Sequence, residues 1–418
     1  MLAWPAAPLP RIDQPSGPGV PERLRVFDTA SRCLREVGPA TGTAGLYVCG
    51  ITPYDATHLG HAFTYLTFDL LNRTWRDLGL DVRYAQNITD VDDPLLERAE
   101  ATGRDWVELA SEQVELFRTD MASLRVLPPD HYVAATEAID LVTEAIASLR
   151  DKGLVYQVAD DDYPDWYFRT ALAPGFGDVA HLNREQEIAE FAAKGGDPER
   201  PGKQDALDSL VWRLERPGEP AWESPLGKGR PGWHIECMAI AERYLGETFS
   251  VQGGGRDLAF PHHEMCGALG AAATHKPFAD AYVHVGMVGL DGEKMSKSKG
   301  NLELVSRLRS QGHRPAEIRL ALLAHHYRDD WEWFVTDMDA AGKRAHAWRS
   351  AFSAEAGTPA EPVVDGLRRA LRNDLDAPRA LAEVDEWSSA TLAGDGTDPD
   401  APRRLADAVD ALLGVRFG

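Results

Sequence analysis

The 418-residue chain holds no apolar run of the roughly 18 residues that a membrane-crossing helix needs, so no bilayer span is expected. It is poor in positive charge: 44 Lys and Arg stand against 66 Asp and Glu, a formal net charge of −22. A protein that grips a long phosphate backbone usually shows a basic surface, so this balance argues against a nucleic-acid partner while leaving room for a local patch. Cysteine is scarce. Four in the chain, Cys33, Cys49, Cys237 and Cys266, make no disulfide framework and point to a reducing cytoplasm. The proline-broken start Met1-Leu2-Ala3-Trp4-Pro5 lacks a basic leader, and no secretory signal is expected. No internal repeat or long low-complexity tract is present. The remaining composition, 44% hydrophobic and 26% charged, is that of a globular protein long enough for two or three domains.

Residues 1–44, rich in Pro and Gly, read as an N-terminal extension. The pattern then predicts a buried strand at 46–49, a helix over 59–78 closed by Gly79, and a strand over 81–89. Strand, helix and strand in that order open a doubly wound parallel-sheet α/β domain, with its first half at 45–130. Amphipathic helices are expected over 106–124 and 136–149. Irregular, Gly- and Pro-rich sequence from 153 onward makes 131–231 an expected insertion that splits the domain. The second half, 232–302, carries helix, strand, helix and strand at 234–245, 249–252, 262–274 and 281–288. Residues 303–418 are expected to be wholly helical, with four to six helices.

Two motifs carry phosphate chemistry. His58-Leu59-Gly60-His61 sets two imidazoles at i and i+3 around a helix start, where N–H groups and the helix dipole attract phosphate. Imidazoles there can donate to phosphate oxygens as charge builds in a transition state, and Gly60 lets a ligand approach the backbone. Far downstream, Lys294-Met295-Ser296-Lys297-Ser298 follows Gly289-Leu290-Asp291-Gly292. Small and cationic residues on a glycine-flanked loop suit a lid whose Lys294 and Lys297 close over ATP phosphates. Singly, the first motif reads equally as capping histidines and the second as a solvated basic loop. Together and in this order they read as the two sides of an ATP site that makes an acyl-adenylate.

Cys49 at a strand end, Cys237 on the helix after Trp233, and His262 at the opening of another helix form a metal-ligating set. Two thiolates and an imidazole suit zinc, and three protein ligands leave a position open for substrate. Trp233 and Cys237, four apart, share a helix face. His263 is rotated about 100° from His262 by the helical repeat and is the weaker ligand. Cys266, four residues past His262, shares its face and could reach the metal. Gly253-Gly254-Gly255-Arg256-Asp257 would let backbone approach a nucleotide, with Asp257 placed to hold an amino group or ribose; a plain turn is the blander reading.

Taken together, these segments resemble the class I cysteinyl-tRNA synthetase family. Tyr47-Val48-Cys49-Gly50, the two-histidine turn, Gln86-Asn87-Ile88-Thr89-Asp90-Val91-Asp92-Asp93, Gly232-Trp233-His234-Ile235-Glu236-Cys237, Phe260-Pro261-His262-His263-Glu264 and the Lys294 motif occur in the family's order over roughly residues 45–330. A relative of that synthetase, the mycothiol cysteine ligase family, is more similar still. The likeness rests on Ile51-Thr52-Pro53-Tyr54-Asp55-Ala56-Thr57 before His58, on His325-His326-Tyr327-Arg328-Asp329-Asp330-Trp331-Glu332-Trp333, and on Gly195-Gly196-Asp197-Pro198. Ala193-Lys194 stand where that family tends to have Glu-Arg.

The resemblance implies a class I synthetase-type, Rossmann-like catalytic domain with an insertion, followed by an all-α region. It implies that ATP, with Mg²⁺, adenylates L-cysteine and that the amino group of glucosaminyl-inositol then takes the cysteinyl group, in mycothiol biosynthesis. His58, His61, Lys294 and Lys297 would be catalytic. Zinc, one per chain, would sit on Cys49, Cys237 and His262. Gly50, Ile51, Thr52 and Thr64 would line the cysteinyl-adenylate beside Cys49. So would Asn87, Ile88 and Thr89, and, from the second half, Trp233, Gly255, Arg256, Asp257 and, through its backbone, Val288. Arg256 stands where serine is common. In the synthetase, a glutamate four residues past the metal histidine completes the zinc shell. Here that residue is Cys266, and the ligase family manages with three protein ligands. The implied partners are small molecules, with no nucleic acid and no membrane, and the chain would act as a cytoplasmic monomer. The rival reading is cysteinyl-tRNA synthetase itself, against which stand the net charge, the missing glutamate and the short stretch after the helices. A non-catalytic zinc-holding relic would have lost a phosphate-site residue, and all four are present.

Overall fold

The computed structural model describes residues 1–13, 23–54, 57–290, 302–417 and the backbone of 293–294. At its centre lies a five-stranded sheet formed by β1 (Thr43–Val48), β2 (Asp81–Ile88), β3 (His131–Ala134), β4 (Phe249–Gly255) and β5 (Ala279–Val285). The spatial order is β5-β4-β1-β2-β3, and every neighbouring pair is parallel. Parallel sheets are covered on both faces, which is why Leu46-Tyr47-Val48 and Ala281-Tyr282-Val283 are apolar without alternation and are all buried. Strand order reverses between β1 and β4, and such a switch point leaves a crevice at the carboxyl ends of the strands. Cys49 follows β1 directly and donates its N–H to Gly253 O at the end of β4, at 3.1 Å.

Three helices position the crevice. Helix α1 (Leu59–Asp77) crosses behind the sheet, α2 (Trp233–Leu245) leads into β4, and α3 (Glu264–Thr274) leads out of it. The helix predicted over 59–78 and the strand over 81–89 are therefore present, with Gly79 at φ +81° making the turn between them. The expected elements of the second half also form in order.

The structure departs from the sequence reading in four places. The N-terminal extension contains a hairpin, Arg25–Asp28 with Cys33–Glu36. It docks on β5 through Thr29 N–H to Tyr282 O and Tyr282 N–H to Asp28 Oδ1, both 2.9 Å. Strand β3 falls inside the expected insertion, 131–231, yet pairs with β2 as the sheet edge. The rest of that span holds a four-stranded antiparallel sheet, Val155–Gln157, Trp166–Phe168, Ser209–Leu214 and Gly229–Pro231. Three of these strands have three residues, too few for alternation to register in sequence. The strand expected over 281–288 breaks: β5 stops at Val285, and Val288–Leu290 pairs instead with Trp331–Trp333. That last strand corrects the expectation of a wholly helical 303–418, although six helices fill most of it. Gly286 permits the crossing, because a Cβ there would lie 2.1 Å from Asp329 O.

The insertion is held to the core by Glu264 at the start of α3. Its carboxylate accepts from the N–H groups of Gly177 (2.8 Å), Val179 (3.0 Å) and Ala180 (2.8 Å). The far end of α1 is tied to the C-terminal helices through buried charge. Asp69 accepts from Arg73 Nε at 2.7 Å and from Leu127 N–H at 2.8 Å, and pairs with Arg319. Arg73 and Arg319 also donate to the carbonyls of Asp410 (2.9 Å) and Leu413 (2.6 Å). All three side chains are sealed from solvent. Burial pushes the Asp69 carboxyl up, but the two guanidinium groups outweigh it and hold the pKa below its ordinary value.

Removing one partner of such a group strands the others in the core. Asp69→Ala should lower stability by ~3–5 kcal/mol in urea unfolding at neutral pH. The depressed pKa fixes the sign of the pH effect. Asp69 stabilises the fold above its unfolded-state pKa, and this contribution is lost as pH falls through the lower folded-state value. The gap between wild type and variant should therefore shrink in acid. A gap that widens there would contradict the assignment.

Candidate active site and metal centre

At the mouth of the crevice Cys49 Sγ, Cys237 Sγ and a ring nitrogen of His262 lie within 4.8 Å of one another, and all three residues are buried. These are the three ligands expected from sequence. Burial pushes the Cys49 thiol up, and drives Cys237 and Cys266 well up. It drives His262 well below its usual pKa, with His234 adding to the effect. Protein alone would thus leave neutral thiols and a neutral imidazole. A bound divalent cation supplies the charge that deprotonates the thiols, and neutral imidazole is the form that ligates. His262 Nδ1 lies 3.1 Å from His234 Nδ1, which leaves Nε2 for a metal. Trp233 stacks on His262 with ring centroids 4.3 Å apart.

Sequence reasoning missed a polar chain behind these ligands. His263 Nε2 lies 3.2 Å from Cys49 Sγ, His263 Nδ1 lies 2.8 Å from His284 Nε2, and His284 Nδ1 lies 2.7 Å from Thr29 Oγ1. With Thr29 donating into the chain, each imidazole passes its N–H forward and His263 donates to the Cys49 sulfur. Partners of this kind orient and tune metal ligands. Burial lowers the pKa of His284 to about 4 and that of His234 to about 3, so both stay neutral. The helical-wheel argument that turned His263 away fails for a local reason. Residues 259–263 are not regular α-helix, and Phe260 is extended at φ −136°, ψ 137°.

On the phosphate side, His58 caps α1, its Nδ1 accepting from Gly60 N–H at 3.1 Å. An accepting Nδ1 carries no proton, so neutral His58 is the Nε2–H tautomer and presents a donor away from the helix. The His58 and His61 rings stack with centroids 3.8 Å apart. The sequence reading gave the helix's own N–H groups a phosphate role. Two of the first are already used, Gly60 N–H on His58 and Leu59 N–H on Glu303 O at 2.9 Å. The basic motif is only partly visible. Lys294 pairs through backbone with Gly289, and Lys297 lies outside the described residues. Just beyond, Leu304 forms an antiparallel bridge with His58.

The remaining expected lining residues lie at the ends of β1, β2 and β4, on α1 and α2 and at the start of the Val288 strand. Asn87 Oδ1 accepts from Gly50 N–H (2.8 Å) and Tyr47 O–H (3.2 Å), and Asn87 Nδ2 donates to Thr89 Oγ1 (3.1 Å). Thr89 in turn donates to buried Glu236 at 2.9 Å. A Cβ at Gly50 would lie 1.7 Å from Asn87 O, so only glycine fits there. Ile51 O accepts from Thr89 N–H at 3.1 Å, Thr52 O from Tyr54 N–H at 3.0 Å, and Thr64 Oγ1 donates to Gly60 O at 3.1 Å. Ile88 ends β2 and Val288 starts the strand beside Trp331; both are buried. Gly255 ends β4, and Asp257 is exposed just past it. Arg256 is exposed; it donates to both Asp330 oxygens at 2.9 and 2.8 Å and to Arg328 O. Lys194, at the position that departs from the family pattern, donates to Asp257 O (2.9 Å) and Phe260 O (2.6 Å), joining the insertion to the loop before His262.

The chain matches the family model of the tRNA synthetases class I (C) catalytic domain over residues 37–343. It is 57% identical over 417 residues to an L-cysteine:1D-myo-inositol 2-amino-2-deoxy-alpha-D-glucopyranoside ligase of Thermomonospora curvata, covering 99% of this chain and 100% of that one. It is 59% identical to the Streptosporangium roseum protein of the same name, with both chains covered completely. Among solved structures, a Mycobacterium tuberculosis methionyl-tRNA synthetase bound by methionyl-adenylate superposes with a TM-score of 0.64 at 15% identity. That match covers 89% of this chain and 92% of the other. The LeuRS of Agrobacterium radiobacter K84 gives 0.64 at 12% identity, over 90% and 84% of the two chains. At such identities the structural matches speak to the fold.

His58 does two things here, and two substitutions separate them. His58→Ala removes both cap and donor and should cost ~0.5–2 kcal/mol of stability. His58→Asn restores a capping acceptor without the outward imidazole N–H, so stability should return while turnover stays down by about 10²–10³-fold. Urea unfolding and kcat on the same preparations check this. Full turnover in the Asn variant would limit His58 to capping.

Proposed function

Since the chain belongs to the class I (C) synthetase catalytic-domain family and, over its full length, to the L-cysteine:1D-myo-inositol 2-amino-2-deoxy-alpha-D-glucopyranoside ligases, we propose that it joins L-cysteine to the amino group of glucosaminyl-inositol at the expense of ATP. It is an ATP-dependent ligase. The observation that carries the cysteine specificity is the buried trio of Cys49, Cys237 and His262. The α/β core in this reading runs from β1 through β3 and again over 232–302, split by the antiparallel-sheet insertion and followed by 303–418.

The reaction proceeds in two steps. The cysteine carboxylate attacks the α-phosphorus of MgATP, giving cysteinyl-adenylate and pyrophosphate. The neutral amine of the acceptor then attacks the activated carbonyl, forming the amide and releasing AMP. His58 and His61 donate to phosphate oxygens as charge builds on them, and Lys294 and Lys297 neutralise the departing pyrophosphate. Gly50, Asn87 and Thr89 hold the aminoacyl end against the close-packed ends of β1 and β2. Trp233 closes the side chain pocket over His262. Arg256, tied to Asp330, braces the wall in place of binding ligand. Cys49, Cys237 and His262 would hold zinc, which supplies a soft partner for the substrate's sulfur and so separates cysteine from serine far beyond the ~1–3 kcal/mol that pocket shape gives. Four unbridged thiols support a reducing cytoplasm, and no helix among the described residues is long and apolar enough to cross a membrane.

Two measurements test this reading. L-Cysteine should drive ATP–pyrophosphate exchange, and AMP release should then depend on glucosaminyl-inositol and not on bulk tRNA. Transfer of cysteine to tRNA would move the chain to cysteinyl-tRNA synthetase. Cys49→Ala and His262→Ala should each abolish exchange together with stoichiometric zinc, read by metal analysis. A variant that loses zinc yet activates cysteine normally would remove the metal from the account.

A further inference from the structure

In a chain whose formal net charge is −22, a cavity far from the metal ligands in sequence is lined by four guanidinium groups and no carboxylate. It encloses about 340 Å³. Its walls come from the end of the helix Trp106–Ser123, the start of the helix Pro315–Leu323 and the segment after the last helix, Ala401–Leu413. The four cations are Arg125, Arg314, Arg319 and Arg416. Their counter-charges stand behind the wall. Asp69 holds Arg319, while Asp410 holds Arg125 and meets Arg416 at 3.8 Å; both carboxylates are buried and neither lines the cavity. Glu317 accepts from Arg314 N–H at 3.2 Å and does not line it either.

The four side chains differ in what they have left to give. Each nitrogen of Arg319 already donates within the protein, to Leu413 O, Leu124 O and Asp69. Arg125 Nε is buried and has no hydrogen-bond partner among the described residues. The Arg314 guanidinium has no hydrogen-bond or ion-pair partner among them. Arg416 comes no closer than 3.8 Å to Asp410, beyond hydrogen-bonding distance. A buried donor without an acceptor is costly, and like charges gathered in one cavity repel. An anion in the cavity relieves both.

We propose that this cavity binds a phosphate dianion, either inorganic phosphate or the phosphate group of a small monoester, at a site separate from the nucleotide crevice. Four guanidinium groups against two carboxylates leave two positive charges, the charge that phosphate balances near neutral pH. Guanidinium forks pair with phosphate oxygens, and Arg125, Arg314 and Arg416 offer one fork to each of three oxygens. A carboxylate, with two oxygens and one charge, would leave a fork empty. The start of the helix Pro315–Leu323 adds its dipole. The bound anion would tie together residues 125, 314 and 416, beside the Asp69–Arg319 clamp, and so stabilise the fold. The proposal does not draw on the ligase reading.

Calorimetric titration and thermal unfolding of the full-length protein test it, with inorganic phosphate and then glycerol 3-phosphate against chloride at equal ionic strength. At least one of the two should bind saturably and raise Tm above the chloride control, and the tighter one names the source. Arg314→Gln and Arg416→Gln should each weaken that binding by about tenfold or more, and together remove the rise in Tm. Lys294→Gln with Lys297→Gln, in the basic motif of the nucleotide site, should leave it unchanged. Absence of saturable binding to the wild type would overturn the proposal. So would binding that survives the arginine substitutions and falls with the lysine ones, which would assign the anion to the nucleotide site. Arg314 has no side-chain partner to lose, so its variant alone decides if the Arg416 variant misfolds.

Discussion

The site depends on one constraint of the backbone: β1 and β4 are neighbours in space but lie about 200 residues apart in sequence, and their carboxyl ends abut. Cys49 leaves one strand and the glycines leave the other, so two parts of the chain that share no local sequence meet within one hydrogen bond, Cys49 N–H to Gly253 O. Helix α2 before β4, and the irregular turn at 259–263 that leads into α3 after it, then bring Cys237 and His262 to the same point. Nothing in this arrangement needs a long loop. Each ligand sits at or near the end of a regular element, where packing rather than loop conformation fixes it.

Burial supplies the second condition. A cluster of four histidines, His234, His262, His263 and His284, would repel itself if charged, and desolvation keeps all four neutral. Neutral imidazoles can accept on one nitrogen and donate on the other, which a chain of side chains from Thr29 to Cys49 requires. The thiols face the opposite problem, because the same dry surroundings hold them protonated. A cation bound there would resolve this without rehydrating the site.

Much of this was legible in the sequence, for identifiable reasons. The order of strand and helix around His58, and the Cys49–Cys237–His262 set, could be read because element-scale periodicity and donor chemistry survive without coordinates. The parts that could not be read depend on geometry finer than a period. His263 became a neighbour of Cys49 because the turn at Phe260 breaks the helical wheel. His284 gave no signal at all, since a polar residue inside an apolar strand is visible only once the strand is known to be central. The antiparallel sheet of the insertion and the Trp331–Trp333 strand were too short to register. The pairing of Arg256 with Asp330, a partner 74 residues away, gave no sign in the sequence either.

Helix α1 acts as a lever. At one end it bears the His58 turn; toward the other, Arg73 donates to the carbonyls of Asp410 and Ala411, and Asp69 holds Arg319, which donates to Leu413 O, all three carbonyls lying in the last helix, Ala401–Leu413. A rigid rod fixed at its base transmits tilt to its tip, and misplacement of a reacting group by 1 Å can cost about 10²-fold in rate. Damage near the C-terminus should therefore surface as poor chemistry at a turn some 350 residues earlier, which makes distant, apparently inert positions such as Leu413 and Asp410 part of what keeps the enzyme fast.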